Sequence, residues 1–306
     1  MNNVIVTGAG GFIGGALSKK LLDSGVTVYG IDVNEGCFAR LKGYDNFIPV
    51  IADFTKYENL SEIVGAENFD AFYHFAWNGV YGASFKDYEL QLSNTKYACD
   101  AMMQAIKMKC KKFIFAGSQN EYDITNCFFA EKIEPRYTYI YSATKACAEI
   151  VCKALAYNTG EIEYCGGLVA MAYGENNKSM MIPNVVIKTL LSGESPKLIT
   201  GNNLYDMIYI DDIVDAFIAI GERGKNLKSY YIGHRNLVTF KEIVSQIGQI
   251  INPGIPLLFG AYPESDDKDY RMINLDALYN DTGFECKADF KQSILNTAKW
   301  VKENLM

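Results

Sequence analysis

Val4-Ile5-Val6-Thr7-Gly8-Ala9-Gly10-Gly11-Phe12-Ile13-Gly14 is the stretch whose reading decides the fold of this chain. Three apolar residues read as a strand buried on both faces. A glycine turn follows at once, and apolar residues then recur with helical spacing at Phe12, Ile13, Ala16, Leu17 and Leu21. In that context the glycines have separate tasks. Gly8 permits the tight turn, Gly11 lets the backbone approach a pyrophosphate, and Gly14 lets the helix pack on the strand. The helix start offers free N–H groups and the positive end of its dipole to phosphate. An ordinary strand-to-helix turn does not need glycine at all three positions. Gly8, Gly11, Phe12, Ile13 and Gly14 are therefore candidate dinucleotide contacts.

The next strand, Val26 to Ile31, is closed by Asp32. A carboxylate there accepts ribose hydroxyls and repels a 2′-phosphate. No arginine follows within the next few residues, so NAD(H) is the favoured cofactor and NADP(H) the alternative. Asp53, at the end of the apolar run 47–52, is a further candidate on the adenine side. Strands at 70–75, 112–116 and 162–168 alternate with helices at 87–109 and 140–157. That alternation predicts an α/β fold with a Rossmann-type doubly wound parallel sheet. Residues 206–210 and the helix from Asp212 read as a return to that sheet. The expected cofactor domain is 1–170, with 205–222 returning to it. Residues 171–204 and 223–306, rich in Pro, Asn and Tyr loops, are expected to form a smaller interleaved substrate lobe. Ligands of such sheets bind at the carboxyl ends of the strands, where the cleft is expected.

A net charge of −7 argues against a nucleic-acid partner. No apolar run approaches the ~20 residues of a membrane span. The strand begins by Val4, which leaves no room for a signal peptide. The eight cysteines are scattered with no C-x-x-C pair, so reduced thiols and a cytoplasmic location are expected. Two histidines, His74 and His234, argue against a zinc site or a Ser-His-Asp triad, and no metal is expected. His74 ends a strand and reads as packed or hydrogen-bonded, and Cys147 and Cys152 read as helix packing.

The chemistry concentrates in Tyr141-Ser142-Ala143-Thr144-Lys145 at the start of a helix. A spacing of four puts Tyr141 and Lys145 on one face, one turn apart. A cation held close favours the phenolate and lowers the phenol pKa, while offering donors to a ribose. Ser118 ends a strand at the same edge of the sheet, where its hydroxyl can share a proton with Tyr141. The three read as a relay, with Tyr141 as acid/base, Lys145 as its tuner and Ser118 as positioner.

With these residues on the page, the chain resembles the extended short-chain dehydrogenase/reductases, the nucleotide-sugar epimerase/dehydratase group. Thr7 to Gly14 matches T-G-x-x-G-x-x-G, and Asp32 and Asp53 match the two acids. His74-Phe75-Ala76-Trp77 matches H-x-A-A with Trp for the second Ala. Ser118, Tyr141 and Lys145 match the catalytic set, and Tyr205 to Asp212 matches R-D-f-i-y-V-x-D. Arg271, Asp276, Gly283-Phe284 and Trp300 follow the C-terminal pattern. The resemblance implies a nucleotide-activated sugar as substrate. It adds Ala76 to the cofactor contacts, with Tyr141 and Lys145, and Gln119, Asn120, Asn184, Tyr205 and Arg271 as substrate contacts. Tyr81, Tyr137 and Tyr139 are further candidates to line the sugar site. It also implies a homodimer formed through helices 87–109 and 140–157, burying Met102, Met103 and Ile106.

Departures from the pattern narrow the reaction. The 4,6-dehydratases place an Asp-Glu pair where this chain has Gln119 and Asn120, and amides cannot do that acid/base work. Met171 stands at the Asn of R-x-x-N-V-Y-G, and Tyr205 replaces the Arg of R-D-f. With Ala76 to Gly79 and Gly117 to Tyr122, the chain looks closest to reductases of 4-keto-6-deoxy sugar nucleotides. The expected function is reduction of a nucleotide-linked 4-ketohexose at C4. The alternatives are an NAD-dependent 4-epimerase and a non-catalytic cofactor sensor.

Overall fold

The structure is a computed structural model that describes residues 1–80, 82–127, 138–263 and 269–306. Tyr81 and Tyr137 lie outside the described residues. The chain divides into two compact units. The first holds residues 1–169, 214–231 and 277–284, and the second 170–213, 232–276 and 285–306.

The first unit is a Rossmann-type doubly wound sheet. Its opening elements are β1 (Asn3–Thr7), α1 (Phe12–Asp23), β2 (Thr27–Asp32), β3 (Phe47–Ile51), α2 (Leu60–Val64) and β4 (Ala71–His74). They continue through α3 (Tyr88–Lys107), β5 (Lys112–Ser118), α4 (Glu121–Cys127), α5 (Thr138–Thr159) and β6 (Glu163–Val169). β1 pairs in parallel with both β2 and β4, β2 with β3, β4 with β5, and β5 with β6. The chain therefore leaves β3 at one side and re-enters at β4 beside β1. That reversal makes the crevice at the carboxyl end of β1, where the glycine turn lies. Val4, Ile5 and Val6 are fully buried, as a strand covered on both faces requires. One face is covered by α3 and α5. Ala98, Ala101 and Ala105 of α3 and Ala148, Cys152 and Ala156 of α5 are small enough to let both helices pack down on Phe72, Phe113 and Phe115.

Two expectations change. Residues 206–210 do not return to the main sheet. Within the second unit, β7 (Met171–Tyr173) pairs in parallel with β9 (Met207–Tyr209) as a separate two-stranded sheet, and β8 (Leu204–Tyr205) pairs with β11 (Val238–Thr239). The seventh strand of the main sheet is β10 (Lys228–Ile232), beside β6. It follows α7 (Ile210–Arg223), whose residues from Val214 onward belong to the first unit. The return is thus 214–231 together with 277–284, where 205–222 was expected.

The second unit is completed by α6 (Asn184–Leu191), α8 (Phe240–Ile251) and α10 (Phe290–Asn304), which pack on one another; the short α9 (Ala277–Thr282) belongs to the first unit. Thr239 and Glu242 form a reciprocal capping box on α8. Buried Asp212 accepts the backbone N–H groups of Lys287 and Ala288. Among the described residues, no helix is long and apolar enough to cross a membrane.

Candidate active site

Gly8 sits at φ +67°, in the left-handed region that favours glycine, and its carbonyl accepts the Gly11 N–H at 2.9 Å. A Cβ on Gly14 would come within 2.3 Å of the same carbonyl, so only glycine lets α1 start this close to the turn. Gly11 caps α1 with no side chain, which leaves the first-turn N–H groups for an anion. Asp32 closes β2 with its carboxylate accepting Gly10 N at 2.9 Å and Val33 N at 2.8 Å. Ala76 is drawn to the turn by its N–H bond to Thr7 Oγ1, 3.3 Å. Phe12 and Ile13 are the first residues of α1. A glycine cradle, an uncapped helix start and a carboxylate with spare lone pairs fit the pyrophosphate and ribose of a dinucleotide.

The structure adds two details to this site. Arg40, eight residues past Asp32, folds back and donates to the carbonyls of Gly10 (3.2 Å) and Gly11 (2.5 Å). Sequence distance hid it, because a short 3₁₀ helix at 35–41 returns the chain to the loop. Asp53 uses its carboxylate as a cap, accepting Thr55 N at 2.9 Å and Thr55 Oγ1 at 2.5 Å.

Ser118 is the last residue of β5. Its Oγ accepts Asn120 N at 3.2 Å and lies near enough to the Tyr141 hydroxyl to draw its pKa down. Tyr141 is buried, with Phe85 and Trp77 edge-on to its ring at 5.0 and 6.3 Å. Burial pushes its phenol above the ordinary range, Glu121 adds to this, and the Ser118 hydroxyl opposes it. The direction is opposite to the one expected from a nearby lysine, because desolvation in this aromatic enclosure dominates. Lys145 spends its Nζ on the Ala116 carbonyl at 2.7 Å and stands over Trp77, 3.9 Å from the ring centroid, and Phe115, 4.8 Å. Burial pulls its pKa down to about 7, against the pull of Glu121 and Glu149.

Trp77 thereby explains one departure from the family pattern. Its Nε1 donates to Gln91 at 2.9 Å, which pins the indole as a shelf under the ammonium. Glu121 and Glu149 are buried neighbours of the relay that motif reading did not assign. The i, i+4 series Lys145–Glu149–Lys153 was the available signal. Gln119 is buried and its N–H donates to Val169 O at 3.0 Å. Glu121, the first acid after the two amides, turns inward and accepts Ser118 N at 2.7 Å. His74 is buried and bonded through Nδ1 to Thr7 Oγ1 at 2.9 Å, and burial lowers its pKa to about 3.

Tyr139 is the second residue of α5 in the first unit, and the expected substrate contacts Asn184, Tyr205 and Arg271 lie in the second unit. Asn184 is buried, and its amide donates to the carbonyls of Asn177 and Ser179 at 2.7 and 2.9 Å, so it holds a loop. The Tyr205 ring meets Phe240 edge-on at 5.2 Å. Arg271 is 91% exposed and paired in two-pronged fashion with Asp269, at 2.8 and 2.9 Å. It lines an open cleft of about 640 Å³ with Asn203, Arg235, Asn236 and Tyr270. Among the described residues no group of three or more His, Cys, Asp or Glu side chains is placed to hold a metal.

The family model described as "NAD dependent epimerase/dehydratase family" matches residues 4–233. The chain is 25% identical over 329 residues to an Arabidopsis thaliana trifunctional UDP-glucose 4,6-dehydratase/UDP-4-keto-6-deoxy-D-glucose 3,5-epimerase/UDP-4-keto-L-rhamnose-reductase. That alignment covers 99% of this chain and 47% of the plant protein, so the chain spans about half its length. It is 24% identical over 303 residues to CDP-abequose synthase of Yersinia pseudotuberculosis, covering 97% and 99% of the two chains. Among solved structures it is similar to UDP-glucuronic acid 4-epimerase of Bacillus cereus (TM-score 0.78, 20% identity, 98% and 99% covered). It is also similar to UDP-N-acetylglucosamine 4-epimerase of Methanobrevibacter ruminantium (0.78, 22%, 99% and 98%). At such identities these structures speak for the fold.

Proposed function

The chain belongs to the NAD dependent epimerase/dehydratase family, and from that membership we propose that it reduces a nucleotide-linked 4-ketohexose, 6-deoxy or not, at C4. One observation carries this reading. Burial holds the Tyr141 phenol above its ordinary pKa beside Ser118, and amides stand where a dehydratase needs acids. Reduction asks this chain for one proton, delivered from Tyr141 Oη to the C4 oxygen, and a phenol held protonated by burial is in the right form to give it. Ser118 Oγ holds the same oxygen as its charge changes. Gly8, Gly11, Gly14 and the N–H groups of α1 would hold the pyrophosphate of NAD(H), and Asp32 its ribose. When bound, the nicotinamide supplies the hydride. Dehydration would need further groups to exchange protons with the sugar. Gln119 and Asn120 cannot do so, and Glu121 is turned inward onto Ser118 N.

The test is a panel of sugar nucleotides. With NAD and 6-hydroxy sugar nucleotides the enzyme is expected to form no 4-keto-6-deoxy product. With reduced cofactor and 4-keto-6-deoxy derivatives it is expected to consume the cofactor, followed by absorbance and product NMR. Failure to consume it, alongside interconversion of C4 epimers, assigns the chain to 4-epimerisation.

Asp32 carries a second expectation. NAD(H) binds more tightly than NADP(H) in titration calorimetry, since the carboxylate repels a 2′-phosphate and Arg40 is engaged by loop carbonyls. Equal or tighter NADP(H) binding sinks the Asp32 argument. Self-association is the third expectation. Leu92 and Met103 on α3 and Ile150 and Tyr157 on α5 are exposed, at 55%, 43%, 66% and 74%. Met102, expected at that surface, is fully buried in the chain's own core, because it points between α3 and the sheet. We propose a homodimer across this apolar surface. A light-scattering mass of one chain at micromolar concentration would count against it.

A further inference from the structure

Behind the relay, two carboxyl groups meet without enough donors to keep both charged. Glu149 sits on α5 one turn beyond Lys145. Its Oε1 is served twice, by Lys153 Nζ at 2.7 Å and Ser229 Oγ at 2.5 Å. Its Oε2 is buried with no conventional donor. Glu121, from the first turn of α4, takes Ser118 N on Oε1 and lies within hydrogen-bonding reach of the Glu149 carboxyl. Both residues are less than one-tenth exposed. Two carboxylates in such contact cannot both stay ionised, and one proton between them supplies the donor that Oε2 lacks. The other groups around the pair are Lys145, Tyr141, Cys152 and Lys153 on α5, Tyr122 on α4 and Tyr164 on β6. Lys153 holds the charge on Glu149, so the proton resides on Glu121. Burial and the Glu149 charge both raise the Glu121 pKa.

Lys145 needs this arrangement. A buried ammonium requires a compensating charge. Its direct contacts, one carbonyl and two aromatic faces, offer dipoles and quadrupoles but no net charge.

Taking Tyr141 and Lys145 as the relay, we propose that Glu121 and Glu149 share a single proton and that the one negative charge left on the pair is the buried counter-ion of Lys145. Both are then positioning residues, acting through the lysine. A single shared charge has an advantage over two. It holds the ammonium without adding a second anion beside the phenol that must release and regain a proton.

Two readouts test this without any substrate, so they succeed or fail apart from the reductase reading. At neutral pH a protonated carboxyl stands out in the infrared spectrum of the whole chain against its ionised acids. Glu121→Gln is expected to remove such a band. The second readout uses the two tryptophans, Trp77 and Trp300. In a Trp300→Phe parent, emission from Trp77 reports the charge of the Lys145 ammonium above it, and Lys145→Met identifies that transition by abolishing it. Glu121→Gln should leave its midpoint within about 0.3 unit, because the amide donates to Glu149 as the protonated acid does. Glu121→Gln/Glu149→Gln removes the charge and should lower the midpoint by about one unit or more. No band lost on Glu121→Gln overturns the shared proton. A double variant that keeps the parent midpoint overturns the counter-ion. The infrared arm needs only the near-isosteric single variant, so it decides even where the double variant does not fold.

Discussion

Tyr141→Phe is expected to lower turnover by at least ~100-fold, the scale of losing a positioned acid. Cofactor affinity should change little. The ring keeps its contacts with Phe85 and Trp77, so the enclosure stays filled, and only the hydroxyl beside Ser118 is lost. Lys145→Ala differs in kind. It empties the space over Trp77, leaves the Ala116 carbonyl unpaired, and should weaken cofactor binding and turnover together. Steady-state kinetics with calorimetry on the same preparations separates the two patterns. Near-normal turnover of Tyr141→Phe on the true substrate shows the relay to be wrong.

Gly14→Ala is expected to cost both stability and cofactor affinity. The added Cβ would meet the Gly8 carbonyl at 2.3 Å, and that oxygen is backbone already bonded to Gly11 N, so α1 must shift. Overpacking of this type costs about 1–3 kcal/mol. The shift also moves the N–H groups that would face the pyrophosphate. Losing one charge-assisted bond, about 1.5–3 kcal/mol, corresponds to at least ~10-fold weaker NAD(H) binding. Gly254→Ala is the control, since the nearest neighbour of its added Cβ is Asn252 Oδ1 at an ordinary 3.7 Å. Thermal melts and cofactor titration read both effects. A Gly14→Ala protein that melts and binds like the control removes the close-packing role of this glycine.

Motif spacing carried much of the site because its chemistry is local. Ser118 at a strand end and Tyr141 with Lys145 one helical turn apart need only β5 and α5 to form, and both elements are announced by apolar periodicity. Trp77 was visible as a departure from H-x-A-A, but its task was not. A cation–π shelf exists only once the segment after β4 meets Lys145 of α5. Arg40 was missed because distance along the chain was taken for distance in space. The edge strand β10 was missed because Lys-Ser-Tyr-Tyr-Ile shows no alternation and sits among loops.

The amino-acid sequence by itself determined the glycine turn, the parallel doubly wound sheet, the Asp32 carboxylate at the end of β2 and the amides that stand in place of acids. Each of these follows from backbone sterics, side-chain periodicity or functional-group chemistry over a few residues. Tertiary structure alone decided the direction in which the pKa values of the relay shift. Lysine–tyrosine spacing predicts a lowered phenol pKa, yet enclosure by Phe85 and Trp77 raises it. The pairing of Glu121 with Glu149, 28 positions apart, supplies the charge that Lys145 lacks. Desolvation and buried charge are sums over everything packed around a group, and that packing comes from strands and helices far apart in the chain.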